Sequence, residues 1–182
     1  RACATYFNPE KEVVSLCYTG NTFINNSSFR GRLKETTQMG VERMGDDSPE
    51  ADAEILAMTV ECLLATGLTE FQVSVGQVDY YKAIFAQTGM SQEEEEELRE
   101  LISQKNYFGV EELVKNKNMD KSLARVLSQL PQMFGSTEVL EKAKSLTDNP
   151  QALKAVARLE EIYELLKVYG YEKYVTFDFA ML

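Results

Sequence analysis

The hydrophobic period of this chain changes twice, and those changes limit its fold more than any single motif. From residue 78 to 170 apolar residues recur three and four apart, the spacing of one face of a helix. Residues 70–76, EFQVSVG, and 173–180, KYVTFDFA, alternate instead, as strands half-buried in a sheet do. Nearer the start, residues 12–23, EVVSLCYTGNTF, are rich in β-branched and aromatic side chains, and residues 34–44 return in the same style. A polar loop at 24–33, with Asn25, Asn26, Ser27, Ser28 and Gly31, joins them into a hairpin. The predicted order is hairpin, helix, strand, a helical block of roughly ninety residues, and a last strand. Strands from both ends are expected to share one sheet, with 1–77 and 171–182 as its domain and 78–170 as a helical insertion.

Local signals place the helices. Residues 1–7 read as the tail of a helix, followed by a turn at Asn8-Pro9. Ser48 can cap free N–H groups and Pro49 suits a first helical position. Ile55, Thr59, Cys62, Leu63 and Thr66 follow at helical spacing, and Gly67 closes the helix. A short helix carries Tyr80 and Tyr81, which read as core or interface aromatics, and ends at Gly89. Ser91 and Glu94 form an S-x-x-E capping box for a helix to about Gln104. The five glutamates at 93–97 fit the positive end of that helix. Further helices are expected near 108–115, 119–130 and 137–146. Asn149-Pro150 opens the longest one, with Leu153, Val156, Leu159, Tyr163 and Leu166 facing inward and Gly170 as its stop.

Composition then excludes chemistry. The chain of 182 residues has no histidine, which removes Ser-His and Cys-His nucleophiles and the usual zinc and iron ligands. Cys3, Cys17 and Cys62 lie in apolar surroundings without C-x-x-C spacing and read as reduced, buried thiols. No metal and no cofactor is expected. Acidic residues outnumber basic ones 29 to 19, for a net charge of −10, which argues against a nucleic-acid footprint. The apolar runs are too short to span a bilayer, and Arg1 is followed by no apolar leader, so a cytoplasmic protein is expected. The missing initiator Met reads as a piece of a longer chain or a processed product.

The hairpin carries a resemblance. LCYTGNTF, a loop, and then TTQMGVERMGDDSPEADAEIL resemble motif 2 and the next helix of the histidyl-tRNA synthetase family. Gln38, Gly40 and Glu42 match its Q-x-G-x-E, and Asp52, Ala53 and Glu54 its D-A-E. The likeness is good over residues 1–77, weaker through the helical block, and returns at VTFDFAML. It implies an α+β fold: an antiparallel sheet of the class II aminoacyl-tRNA synthetase type with flanking helices and a helical insertion.

The departures point within that family. The motif 2 arginine that grips the ATP α-phosphate falls on Ile24, and its acidic and Arg-Pro followers fall on Asn26 and Ser27-Ser28. An isoleucine cannot stabilise phosphate charge, and adenylate formation needs that stabilisation. This pattern is similar to the regulatory subunits of the short-form ATP phosphoribosyltransferase, as are LCYTGNTF and VSVGQVDYYKAI. The resemblance implies a non-catalytic subunit of the first enzyme of histidine biosynthesis. Its implied partners are the catalytic subunit, a second copy of the parent chain, and histidine. A histidyl-tRNA synthetase, or another synthetase-like paralogue that binds an amino acid, stays open as the alternative.

Gln38, Gly40 and Glu42 share one face of a strand, with Gln38 and Glu42 ~13 Å apart at their Cα atoms. Gly40 would leave room on the floor between them. Spacing alone reads as a solvent-facing polar strand. The resemblance assigns Gln38 and Glu42 to histidine, with Gln38 at the head group and Glu42 at the imidazole ring. A buried Glu42 would then call for a ligand or a nearby arginine. A vestigial pocket, with histidine bound elsewhere at a subunit interface, is a further reading. Arg32 and Gly40 are secondary candidates. Arg32 aligns with a basic loop residue of the synthetases and, beside Ile24, reads better as a solvated loop residue than as a nucleotide contact.

Overall fold

The computed structural model describes residues 5–8, 10–25, 31, 33–117 and 119–182. The chain divides into two compact units, Arg1–Ile55 and Leu56–Leu182. The first holds the hairpin of strands β1 (Val14–Phe23) and β2 (Glu35–Met44), paired antiparallel from Val14↔Met44 to Phe23↔Glu35. The Ile24 N–H donates to the Lys34 carbonyl at 2.9 Å and continues the ladder past the last pair. Near the loop end, paired polar side chains join the strands. The Thr22 and Thr36 hydroxyls lie 2.8 Å apart, and Asn21 Nδ2 donates to Glu35 Oε1 at 2.7 Å. Such cross-strand pairs hold register where little apolar surface is buried.

Helix α1 (Pro49–Ala65) begins in the first unit. Ser48 Oγ accepts from the Ala51 N–H at 3.2 Å and Pro49 takes the first helical position, as its sequence implies. Its buried residues are Ala51, Ala53, Ala57 and Val60 rather than the stripe from Ile55 to Thr66. Small residues sit innermost along its first three turns, and the larger side chains fall to the flanks. Cys62 is exposed, and so is Cys17 on β1. That corrects the expectation of buried thiols; Cys3 lies outside the described residues. Cys17 stands opposite Val41 on a hairpin face that the described residues leave open.

The second unit is built on a three-stranded sheet ordered β3 (Val73–Val75), β5 (Val175–Asp178), β4 (Phe134–Gly135). β3 runs parallel to β5 and β4 antiparallel to it. Strands from the two ends therefore do share a sheet, but only β3 and β5; among the described residues β1 and β2 pair with each other alone. β4 is two residues long, too short for any sequence period. β5 does not alternate: all four of its residues are buried, Thr176 and Asp178 among them, because it is the central strand. Asp178 is accommodated by Lys105 Nζ at 3.0 Å and by the Ala180 N–H at 2.9 Å.

Between β3 and β5 run α2 (Val78–Phe85), α3 (Gln92–Ser103), α4 (Tyr107–Asn116), α5 (Lys121–Gln129), α6 (Thr137–Ser145) and α7 (Pro150–Tyr169). Their starts follow from local chemistry. Ser91 and Glu94 make the capping box, and Asn149 Oδ1 accepts from the Gln151 and Ala152 N–H groups ahead of α7. Gly170 ends α7 at φ 76°, in the left-handed region. The buried stripe of α7 is Ala152, Ala155, Val156, Leu159, Ile162 and Leu166; Leu153 and Tyr163 lie at its margin. Tyr80 and Tyr81 of α2 are core residues. Tyr80 donates its hydroxyl to the Ala143 carbonyl at 3.0 Å, Tyr81 donates to that of Glu95 at 3.4 Å, and burial pushes Tyr80 up to about 12.

Candidate functional site

Register puts Gln38 opposite Gly20, Gly40 opposite Tyr18, and Glu42 opposite Leu16, so the three motif residues share one hairpin face. The space above Gly40 is not open. The Tyr18 ring fills it: a Cβ on Gly40 would stand 2.5 Å from the ring Cζ and 2.6 Å from Cε1 and the hydroxyl. That hydroxyl accepts a hydrogen bond from Gln38 Nε2 at 2.6 Å. Gln38 and Gly40 are thus brought together through Tyr18, a residue inside the LCYTGNTF run to which the motif match gave no role. Glu42 lies on the same face but is exposed, so water solvates its charge and no protein cation is required. Arg32, with Asn26, Ser27 and Ser28, lies outside the described residues. Ile24, which the resemblance sets at the position of the motif 2 arginine, is 56% exposed.

The opposite face explains part of the motif. Arg43 follows Glu42 and, by alternation, points the other way. Its Nη2 and Nε both donate to Asp46 Oδ2, at 2.7 and 3.2 Å, and its Nη1 donates to Glu54 Oε2 at 2.7 Å. Glu54 belongs to the D-A-E match, so here that acid ties the end of β2 to α1. Asp46 also accepts from the Ser48 N–H at 3.1 Å, after Gly45 turns the chain at φ 82°. The Ser48 hydrogen bonds and the Arg43 guanidinium together hold the Asp46 carboxyl below its usual range, and the carboxylates hold Arg43 above its own. The sequence signal for this network was an arginine and two acids on either side of a Gly-turn. Among the described residues no cluster of acids and thiols could hold a metal ion.

An amide bonded to a phenol, a glycine under that phenol, and an exposed carboxylate thus share one strand face. A family model described as histidyl-tRNA synthetase matches residues 1–182, the whole chain. The chain belongs to the histidyl-tRNA synthetase family. Within it, the chain is 38% identical over 182 residues to an ATP phosphoribosyltransferase regulatory subunit of Acetivibrio thermocellus, covering 100% of the chain and 44% of that protein. A subunit of the same name from Clostridium acetobutylicum is 36% identical over 184 residues, covering 100% and 45%.

Among solved structures, a protein titled ATP phosphoribosyltransferase regulatory subunit/histidyl-tRNA synthetase from Bacillus halodurans matches at TM-score 0.84. The two are 29% identical, with 100% of this chain and 46% of that one covered. A chain of the ATP phosphoribosyl transferase (HisG:HisZ) complex from Thermotoga maritima matches at TM-score 0.62 and 19% identity, covering 93% and 58%. That second likeness concerns the fold. The chain spans less than half the length of the curated relatives it matches. The α+β, synthetase-like fold and the histidyl-tRNA synthetase family are as the hairpin motifs implied.

Proposed function

We propose that the protein carrying this chain is a non-catalytic regulatory subunit of ATP phosphoribosyltransferase, the first enzyme of histidine biosynthesis. It completes a hetero-oligomer with the short catalytic subunit and takes part in feedback by histidine. The observation that carries this reading is Ile24. An exposed aliphatic side chain stands where the synthetases have the arginine that grips ATP, and it cannot offset developing phosphate charge. The names of the relatives that match along the whole chain support the same reading. In this proposal free histidine lies along the hairpin face, with its head group at Gln38 and its imidazole N–H at Glu42. Residues 78–170 are a helical insertion in the synthetase-like domain formed by 1–77 and 171–182. The parent protein acts in the cytoplasm, pairs with a second copy of itself, and binds no nucleic acid, as its acidic balance favours. Among the described residues no helix is long and apolar enough to cross a membrane.

The test mixes the full-length protein with the short catalytic subunit, ATP and phosphoribosyl pyrophosphate, and follows phosphoribosyl-ATP with and without histidine. Formation that requires this protein and is inhibited by histidine is the expected result. Histidine-dependent ATP–pyrophosphate exchange by the protein alone would instead mean a working synthetase.

A further inference from the structure

The second unit holds a cavity that no family motif touches. It measures about 520 Å³ and lies where the end of α2, helix α5 and the link between α6 and α7 meet. A space of that order suits a small metabolite. Its floor is apolar: Ile84, Leu123 and Val126 are buried and Leu146 is half-buried. Most of its polar wall is spent on the fold. Ser122 Oγ donates to Asp120, Ser145 Oγ donates to the Lys142 carbonyl at 2.8 Å, and Thr147 Oγ1 accepts from the Asn149 N–H at 3.1 Å. Asn149 donates to the Ala83 carbonyl at 3.1 Å and takes up two N–H groups at the start of α7, so that helix end is already satisfied.

Three lining side chains are left over. Gln87, Arg125 and Asp148 are exposed, and none of these side chains has a hydrogen-bond or ion-pair partner among the described residues. Arg125 and Asp148 thus set opposite charges on one cavity without bonding each other. Exposed ion pairs gain little, so nothing compels the two to close on one another. A ligand bearing both charges would answer them together. A guanidinium grips a carboxylate through two N–H groups, and a carboxylate accepts from an ammonium. A simple anion would be drawn to Arg125 and repelled by Asp148, and a simple cation would meet the reverse.

We propose that this cavity binds a zwitterion with an apolar body, in the class of the free apolar α-amino acids. Arg125 takes its carboxylate, Asp148 takes its ammonium, and the floor of Ile84, Leu123 and Val126 takes its side chain. Gln87 supplies a further donor and acceptor at the mouth. The site lies wholly within the second unit and does not depend on the reading of the hairpin face as a histidine site.

The test is calorimetric titration of the full-length protein with L-phenylalanine and L-leucine up to millimolar concentration. Each is set against its matched amine, which lacks the carboxylate, and its matched acid, which lacks the ammonium. At least one of the two amino acids is expected to bind, and its matched amine and acid to bind about tenfold more weakly or less, the worth of one charged hydrogen bond. Arg125→Met and Asp148→Asn should each weaken the amino acid by about the same factor. Both side chains are exposed, so circular dichroism should not change. Gln38→Ala, on the hairpin, should leave this binding as it is.

Binding of neither amino acid overturns the proposal. So does binding that both cavity variants leave intact, or that Gln38→Ala abolishes, which would put the ligand on the hairpin. If the matched acid binds as tightly as the amino acid and only Arg125→Met weakens it, the cavity is an anion site and the zwitterion class is wrong.

Discussion

The hairpin of the first unit and strand β5 of the second are built on opposite terms. Among its described residues, the hairpin from Val14 to Met44 buries Val14 alone, and Phe23 and Met39 are 74% and 70% exposed. It is held by its ladder, by threonine and asparagine pairs, and by the Arg43 ion pairs at its base. β5 is four residues long and wholly buried, with helices and two neighbouring strands around it. Burial of apolar area is the main favourable term in folding, so the second unit should carry most of the stability. The hairpin, with little packing at stake, is where recognition residues can change without unfolding the chain. That is where, by the resemblance, Ile24 stands in place of the synthetases' arginine.

The contrast can be broken at either end. The largest effect should come from Leu98→Ala in α3, whose side chain is fully buried: a loss of about 3 kcal/mol in denaturant unfolding, from lost transfer energy and a cavity. A loss under 1 kcal/mol would mean that the helical unit is loosely packed. Next is Lys105→Met. Among the described residues it leaves the nearly buried Asp178 carboxylate with the Ala180 N–H, and should cost about 2 kcal/mol. The lysine adopts φ 54°, an unusual backbone for a side-chain-bearing residue, and also lies 5.0 Å over the Phe134 ring. Lys105→Gly should therefore be less damaging than Lys105→Met, because relief of the backbone offsets part of the lost pair. Tyr80→Phe orphans the Ala143 carbonyl and should cost about 1 kcal/mol by the same assay.

On the hairpin side the effects should be local. Arg43→Ala is expected to speed hydrogen exchange at the Ser48 amide and the last β2 pairs, while α3 and α7 keep their protection. The same segment should respond to acid. Asp46 is held below its ordinary value near 3.8, so its contribution is present above that value and is lost as pH falls through the lowered one. Protection at Ser48, relative to the intrinsic exchange rate at each pH, should therefore fall on the acid side of the carboxylate range and hold between pH 5 and 8. The smallest effect is Met39→Ser, an exposed site, within about 0.5 kcal/mol of the parent. A large loss there would mean that the open hairpin face is covered in the full-length protein.

Much of this was legible in the sequence. The hairpin, the Ser91–Glu94 capping box and the Gly170 stop fell where turn and cap chemistry put them, and Q-x-G-x-E with D-A-E carried the family. What misled was burial. Ile55 and Thr66 shared a helical spacing but not the buried face of α1, because Ala51, Ala53, Ala57 and Val60 took the interior. Alternation along KYVTFDFA suggested a half-buried strand, but β5 is covered on both faces. At the candidate site Gly40 was read as open floor. Nothing in the residues around it says that Tyr18, twenty-two positions earlier, lies across it.

The division has a physical basis. A helix cap is completed within three or four residues, so Ser91 with Glu94, or Asn149 with the N–H groups after it, is determined by the sequence itself. Family membership is equally local, being written in short runs. Which face is buried, and which side chain fills the gap left by a glycine, depends on partners distant in sequence. Asp178 meets Lys105, and Tyr18 covers Gly40, only once the chain has folded. The tertiary structure decided those contacts because they exist only between elements and not within any one of them.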